Sequence, residues 1–275
     1  QRALRALNIQ PALLHVNEGH SAFAILERMR ERVEHDGLRP EEALRETALR
    51  TVFTTHTPVD SGHDRFGSDL MERHLAWLRS ALGLDQRRFM ALGRVNERDD
   101  GEPFCMTVLG LKGARYRNGV SSLHGHVTRR MWKTVWPYRD EESVPIGHIT
   151  NGVHALSWLA PAMKAVYDRY LGPAWVTRQT ERATWHAVTD IDDGELWEVR
   201  SLLRRHLIEF ARARSPQGRV LDPNALTIGF ARRFASYKRA TLLFTDLDRL
   251  AGICGGPGAP VQFVFAGKAH PRDDE

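Results

Sequence analysis

The chain has 275 residues, of which 42% are hydrophobic, and its 39 Lys and Arg residues against 34 Asp and Glu residues give a formal net charge of +5. This length suits one large core or two ordinary ones, and the scattering of basic residues among acidic ones excludes nucleic acid as the expected partner. Cys105 and Cys254 are too far apart for a disulfide scaffold or zinc ribbon, and no apolar run approaches the ~20 residues of a membrane helix, so we expect a protein of the reducing cytoplasm without a membrane partner.

Short apolar runs alternate along the chain with longer segments of helical period. This alternation is typical of βα units and predicts an α/β fold with a mostly parallel sheet. The predicted strands are 11–16, 51–55, 144–149, 226–230 and 261–265. The predicted helices are 21–34, 40–50, 67–82, 120–132, 159–171, 193–213 and 237–250.

Two segments between these elements carry more specific expectations. The helix 120–132 is expected to bury one stripe of residues three or four apart, formed by Val120, Leu123, Val127 and Met131. The stretch 214–219 contains Pro216 and Gly218 after a long helix and before a new strand. It therefore predicts a linker, with a second α/β unit beginning beyond it.

Polar residues follow nearly every predicted strand. The predicted strands 11–16, 51–55 and 144–149 lead into the segments 15–20 (HVNEGH), 54–58 (TTHTP) and 150–154 (TNGVH). The second unit adds Arg232, Arg233 and Lys238 after one strand and Lys268 after the next. Since ligands of open parallel sheets bind outside the carboxyl ends of the strands, these segments are the candidate site.

The chemistry of these residues suggests two kinds of ligand. Amides, imidazoles and carboxylates suit sugar hydroxyls, and a separate Arg and Lys cluster suits phosphate. Taken singly, each feature also has an ordinary interpretation, because a His after a strand is often a loop residue and Asn-Gly is often a turn. A metal site is not favoured, because His15, His20, His56 and His63 lack an HExxH or similar spacing.

Six ordered blocks of the chain resemble the shorter, bacterial and archaeal type of α-glucan (glycogen or maltodextrin) phosphorylase. They are 15–23 (HVNEGHSAF), 52–59 (VFTTHTPV), 118–124 (NGVSSLH), 149–154 (ITNGVH), 227–243 with its core RFASYKR at 233–239, and 265–269 (FAGKA). One block alone is a weak signal, whereas the ordered set covers nearly the whole chain.

The resemblance implies the GT-B glycosyltransferase fold, in which two Rossmann-like domains face each other. Residues 1–151 would form the carboxyl-terminal part of the first domain, on the glucan side. Residues 152–275 would form crossing helices and the start of the second domain, on the side of phosphate and cofactor. The implied reaction is the cleavage of terminal α-1,4-glucosyl units by inorganic phosphate, which releases glucose 1-phosphate with retention and requires pyridoxal phosphate. A homo-oligomer is left open.

The resemblance also assigns roles by position. His56 and Asn151 resemble groups that hold the sugar. The backbone carbonyl of His56 is expected to stabilise the positive charge that develops on the sugar during the reaction. Arg233 resembles the ligand of the substrate phosphate, and Arg232 and Lys238 resemble cationic groups near the cofactor phosphate. The remaining matched residues resemble a polar loop that lines the glucose site, namely Asn17, Glu18 and His20. The catalytic residues that the resemblance implies are His56, Arg233 and Lys238.

Departures from the family pattern define the alternatives. The glycine-rich loop is expected before Gln1 and the cofactor lysine beyond residue 275, so the chain is interpreted as an internal part of an enzyme that would be inactive by itself. Glu18 stands where animal members usually carry Asp. A starch or glycogen synthase of the same fold and a noncatalytic glucan-binding fragment remain alternatives, although the spacing at 233–239 and the motif at 55–58 favour a phosphorylase.

Overall fold

A computed structural model describes residues 1–214, 221–256 and 260–269 of the chain. The contacts divide it into a first unit, Gln1–Gly152, and a second unit, Val153–Glu275. The predicted linker beyond Arg214 and the polar end of the chain after residue 269 lie outside the described residues. In the described parts of the chain, no helix is long and apolar enough to cross a membrane.

A parallel sheet forms the centre of the first unit. The strands of this unit are β1 (Leu14–Asn17), β2 (Thr51–Thr54), β3 (Arg65–Phe66), β4 (Phe104–Cys105), β5 (Tyr116–Gly119) and β6 (Gly147–His148). Strands β1, β2, β5 and β6 lie side by side in that order and all pairs are parallel, while β3 and β4 form a separate antiparallel pair. The prediction of an α/β fold with a parallel sheet is confirmed.

Helices pack around this sheet. They are α1 (Arg2–Ala6), α2 (Phe23–Asp36), α3 (Pro40–Leu49), α4 (Ser68–Ala81), α5 (Gln86–Ala91), α6 (Met106–Lys112) and α7 (Ser122–Met131). Helices α2, α3, α4 and α7 lie close to predicted helices, whereas α1, α5 and α6 were not predicted. Gly37 follows the last residue of α2 and has a left-handed φ of 67°, and α3 begins with Pro40 in its first turn. These are the residue types that such helix ends favour.

The core of the first unit lies where α2 and α6 cover the sheet. Val16 and Phe53 are partners in register on β1 and β2, and both are buried. A Cβ added to Gly110 of α6 would lie 2.5 Å from Phe53 Cε2, so only glycine allows this approach of helix and ring. Helix α6 is buried on all sides, which removes the polar face that marks a surface helix in a sequence.

The segment 116–131 differs from its prediction. Strand β5 occupies Tyr116–Gly119, and α7 begins only after Ser121, whose side chain accepts a hydrogen bond from the His124 backbone N–H. The expected apolar stripe is wrong, because Leu123 is 75% exposed and the buried residues of α7 are His124, Gly125 and Thr128. The capped start and the polar contacts of His124, described below, set the rotation of this helix.

The second unit contains helices and one described strand pair. Its elements are α8 (Ala155–Trp158), α9 (Pro161–Leu171), α10 (Asp193–Arg214), β7 (Leu226–Ala231), α11 (Leu247–Gly255) and β8 (Val261–Ala266). Strands β7 and β8 are parallel, as predicted. Tyr167, Trp175 and Trp185 contact one another edge to face beside α9, with ring centroids 5.6–6.0 Å apart.

The predicted helix 237–250 is wrong over its first half. Short 3₁₀ turns occupy Ser236–Lys238 and Ala240–Phe244, and α11 begins only at Leu247. Arg239 has a φ of 56°, which interrupts a right-handed helix between the two turns. The Asp246 side chain then accepts from the Arg249 N–H and caps a new helix, so the local polar groups override the apolar spacing.

Candidate active site

Backbone hydrogen bonds join the segments that follow the strands of the first unit. The Glu18 N–H donates to the Thr54 carbonyl at 2.8 Å, and the Thr55 N–H donates to the Asn118 carbonyl at 3.0 Å. The Asn151 N–H donates to the Val120 carbonyl, also at 3.0 Å. The polar segments after β1, β2, β5 and β6 therefore meet along one edge of the sheet, as a parallel arrangement requires.

A chain of side-chain hydrogen bonds runs beneath this edge. The Thr54 hydroxyl donates to Asn118 Oδ1 at 3.0 Å, and His15 Nε2 lies 2.8 Å from the same hydroxyl oxygen. Because the only proton of the hydroxyl goes to Asn118, the His15 ring must donate from Nε2. Thr54 and Asn118 are buried, so these bonds connect β1, β2 and β5 inside the protein.

Glu18 receives four hydrogen bonds on its carboxylate. Oε1 accepts from the Gly19 N–H at 3.1 Å and the Thr55 hydroxyl at 3.2 Å, and Oε2 accepts from the His56 N–H at 2.7 Å and the Thr57 hydroxyl at 2.9 Å. Burial opposes ionisation, but the bonds from His56, Thr57 and Gly19 outweigh it and lower the pKa of Glu18. The carboxylate is therefore charged and fully engaged at neutral pH.

The backbone at Glu18 is strained. Its φ of 71° and ψ of 163° belong to a region that glycine occupies and other residues avoid. Such a conformation costs roughly 1–3 kcal/mol and persists only when the surroundings impose it. The four hydrogen bonds of the carboxylate are the local interactions that compensate this cost.

His56 lies exposed on the turn that Glu18 holds. Its Nε2 is 2.6 Å from Asn17 Oδ1, so the imidazole is tied to the residue before Glu18. His20 is also exposed, in the 3₁₀ turn Gly19–Ser21, and its side chain makes no hydrogen bond with the described residues. Asn17, Glu18 and His56 therefore form one bonded group, and His20 stands beside it along the chain.

Asn151 is held near the same edge by its backbone. It follows β6, is exposed, and donates its N–H to Val120, whose own N–H donates to His124 Nδ1 at 3.2 Å. Because Nδ1 accepts, the proton of the neutral His124 ring resides on Nε2. Burial lowers the pKa of His124 and favours this neutral ring.

The cationic candidates follow β7 in the second unit. Arg232 and Arg233 are exposed, and the Arg232 N–H donates to the Ala266 carbonyl of β8 at 3.0 Å. Lys238 is half-buried, with Nζ 4.9 Å from the centre of the Tyr237 ring. None of the three forms an ion pair with the described residues, so their charges are available to an anionic ligand.

No cluster suited to a metal ion occurs among the residues that the structure describes. Three residues of the hydrogen-bond network at this sheet edge, Thr54, Asn118 and His124, were not among the residues given a predicted role. Asn118 and His124 belong to the sequence block 118–124, which also resembles the family, so the signal was present in the sequence. Thr54 likewise lies in the block 52–59 and opens the candidate segment 54–58, so the sequence marked its position although it assigned it no role.

Comparisons with known proteins agree on one family. The model of the family described as carbohydrate phosphorylase matches residues 2–274. The chain is 42% identical to maltodextrin phosphorylase of Thermococcus litoralis, over 99% of this chain and 33% of the relative. It is 39% identical to glycogen phosphorylase of Mycobacterium tuberculosis (99% and 34%) and 33% identical to glycogen phosphorylase of Aquifex aeolicus (99% and 41%). The chain thus spans about a third of the length of the first two relatives.

Proposed function

Because the chain belongs to the carbohydrate phosphorylase family, we propose that the complete protein of which it forms part cleaves terminal α-1,4-glucosyl units of glycogen or maltodextrin with inorganic phosphate. The product is glucose 1-phosphate, formed with retention. The observation that carries this proposal is the group of polar segments bonded along one sheet edge of the first unit, which contains Asn17, Glu18, His56 and Asn151. Such groups suit the hydroxyls of a sugar and not an apolar ligand.

The two units are proposed to be parts of the two Rossmann-like domains of a GT-B fold. Residues 1–151 are assigned to the first domain, and residues 152–275 to the crossing helices and the start of the second. The parallel sheet in the first unit and the parallel pair β7 and β8 in the second support this assignment. The GT-B arrangement itself stays a proposal.

On the sugar side, the exposed His56 imidazole and Asn151 amide are proposed to bind hydroxyls of the terminal glucose. The His56 backbone carbonyl is proposed to stabilise positive charge that develops on the sugar ring as the glycosidic bond breaks. A carbonyl held in one place stabilises that charge without having to reorient during the reaction. The Glu18 carboxylate accepts hydrogen bonds from the His56 N–H and from the hydroxyls of Thr55 and Thr57, and these bonds provide the fixed position.

On the phosphate side, Arg233 is proposed to bind the substrate phosphate. Its guanidinium offers paired donors to the phosphate oxygens, and the absence of an ion pair with described residues leaves them free. Arg232 and Lys238 are proposed to bind the phosphate of pyridoxal phosphate. When bound, that cofactor supplies a phosphate group that exchanges a proton with the substrate phosphate.

The donor set fits this cofactor in part. Two cationic side chains, Arg232 and Lys238, follow the same strand and suit a dianionic phosphate. The family's lysine that binds the pyridoxal ring is expected beyond residue 275, so no lysine of this chain is assigned to it. The cytoplasmic location and the homo-oligomer stay predictions from the sequence.

A starch or glycogen synthase is the less favoured candidate, because the relatives reported above are all named as phosphorylases. The two are separated by incubating the complete protein with glycogen and either inorganic phosphate or a nucleotide sugar. Release of glucose 1-phosphate that depends on inorganic phosphate supports the proposal. Consumption of the nucleotide sugar without phosphorolysis contradicts it.

The 275-residue chain by itself is proposed to be inactive and to form no specific adduct with pyridoxal phosphate. Borohydride trapping followed by peptide mapping tests this point. Stoichiometric labelling of one lysine of this chain, together with phosphorolysis, would show that the cofactor lysine has been misplaced. Weak labelling spread over several lysines is the expected result.

A further inference from the structure

We propose that Glu18 is a positioning residue, which fixes the turn 55–57 and with it the carbonyl and imidazole of His56, and that it binds no sugar itself. The catalytic consequence rests on the proposed function, whereas the structural role does not. The polar loop 17–20 was expected to line the glucose site as a whole. The contacts of Glu18 separate its role from that of its neighbours.

The acceptor capacity of the carboxylate is taken up within the protein. Three of its four donors belong to the turn, namely the Thr55 hydroxyl, the His56 N–H and the Thr57 hydroxyl. The fourth is the N–H of Gly19. A half-buried carboxylate that already accepts four protein hydrogen bonds has its acceptor positions filled and has no short contact left to offer a sugar hydroxyl.

The backbone on both sides of the carboxylate is fixed. The Glu18 N–H donates to the Thr54 carbonyl, and the Ser21 hydroxyl donates to the Glu18 carbonyl at 3.1 Å. A Cβ added to Gly19 would lie 2.8 Å from Thr107 Oγ1, so the next residue packs directly on α6. The strained backbone at Glu18 is therefore held in place on both sides, and it directs the side chain toward residues 55–57, which follow the neighbouring strand β2.

The adjacent residue completes the arrangement. Asn17 bonds the His56 ring through Nε2, and Glu18 bonds the His56 backbone N–H. Consecutive residues thus fix both ends of His56, its ring and its peptide group. Among the described residues, the Asn17 NH₂ group makes no hydrogen bond and is left for a ligand, whereas the Glu18 carboxylate is fully bonded.

The geometry requires a carboxylate and not an amide. Each oxygen of Glu18 faces one backbone N–H, from Gly19 on Oε1 and from His56 on Oε2. In Glu18→Gln, the amide NH₂ would oppose one of these N–H groups in either orientation, because a backbone N–H cannot accept a hydrogen bond. The turn is therefore expected to loosen although the side chain keeps its size.

The test compares the complete protein with Glu18→Gln, Glu18→Asp and, as a matched control, Glu72→Gln, which changes a half-buried glutamate paired with Arg79. Hydrogen exchange measured by mass spectrometry is expected to speed up at residues 55–57 in Glu18→Gln and not in Glu72→Gln. The kcat for phosphorolysis is expected to fall about 100-fold, since small misplacements of a reacting group have effects of this order. The KM values for glucan and phosphate should change little.

Glu18→Asp keeps the charge on a shorter stem and is expected to retain more of kcat than Glu18→Gln. If Glu18→Gln does not fold, Thr57→Val removes a single donor and is expected to give faster exchange at residues 55–57 with a smaller loss of kcat. Unchanged exchange in the variant that folds overturns the proposal. So does a raised KM for glucan at unchanged kcat, which would identify Glu18 as a sugar ligand. A wild-type protein without phosphorolysis refutes the proposed function alone, because the exchange comparison still tests whether Glu18 fixes the turn 55–57.

Discussion

Replacement of Thr54 by valine tests the buried hydrogen-bond chain beneath the site. Valine has nearly the shape of threonine, so the change removes the hydroxyl and leaves the packing. His15 Nε2 loses its partner, and Asn118 Oδ1 loses the only donor that it has among the described residues. Thr54 and Asn118 are 7% and 8% exposed, so water replaces these bonds poorly.

The expected cost follows from leaving a buried acceptor unsatisfied, which is about 1–3 kcal/mol. Since each 1.4 kcal/mol is a factor of ten, local opening of β2 and β5 should become about 5- to 140-fold more frequent. Native-state hydrogen exchange measures this opening strand by strand. Amides of β2 and β5 are expected to exchange faster by that factor, and those of β7 and β8 should not change.

Thr54→Ser is the control, because serine keeps the hydroxyl and loses only a methyl group. It is expected to exchange much more slowly than Thr54→Val at the same amides. Equal effects of the two variants would mean that the methyl group, not the hydroxyl, matters at this position. Wild-type rates in Thr54→Val would refute the reasoning about the buried acceptor.

Three further outcomes are expected. Gly110→Ala should lower the free energy of unfolding by about 1–3 kcal/mol, because the added Cβ would collide with Phe53. Gly252→Ala should raise it by about 0.5–1 kcal/mol, because Gly252 lies in helix α11 and an added Cβ would have nothing within 4 Å. Thermal denaturation of both variants checks these changes. Burial lowers the pKa of His63, so the unfolded state binds the proton first, and stability should fall as pH drops below ~6.5. Denaturation at several pH values should show a shallower fall in His63→Gln. In the complete protein, Arg233→Ala should raise the KM for phosphate and leave glucan binding nearly intact, and unaltered phosphate kinetics in steady-state assays would count against its role.

The sequence predicted those parts of the fold that local patterns determine. Strand β2 is a short run of β-branched and aromatic residues, β1 overlaps the largely apolar segment 11–16, and α2 and α3 carry helix-end signals at Gly37 and Pro40. Strand β5 was missed because its residues, Tyr116–Gly119, form no apolar run. They become a strand because two neighbouring strands pair with them, and that pairing is a tertiary effect.

The candidate site was predictable in its position more than in its internal contacts. The rule that ligands bind beyond the strand ends was enough to select Asn17, His56 and Asn151. It did not distinguish a sugar-binding side chain from a supporting one, as Glu18 shows. That distinction depends on a left-handed backbone and on donors 37–39 positions away, which no local pattern records.

The strand order of the first unit also bears on how the chain is synthesised. Within the described residues, β1, β2, β5 and β6 lie side by side in the order in which the ribosome makes them. Each new strand can therefore join an edge that already exists, without displacing an earlier one. Between Thr54, the last residue of β2, and Tyr116, the first of β5, the chain grows by 62 positions (116 − 54). At roughly 5–20 residues per second, the edge of β2 stays unpaired for about 3–12 s until β5 has been synthesised. An unpaired strand edge invites association with other chains, so this is the edge that a chaperone would need to protect during translation.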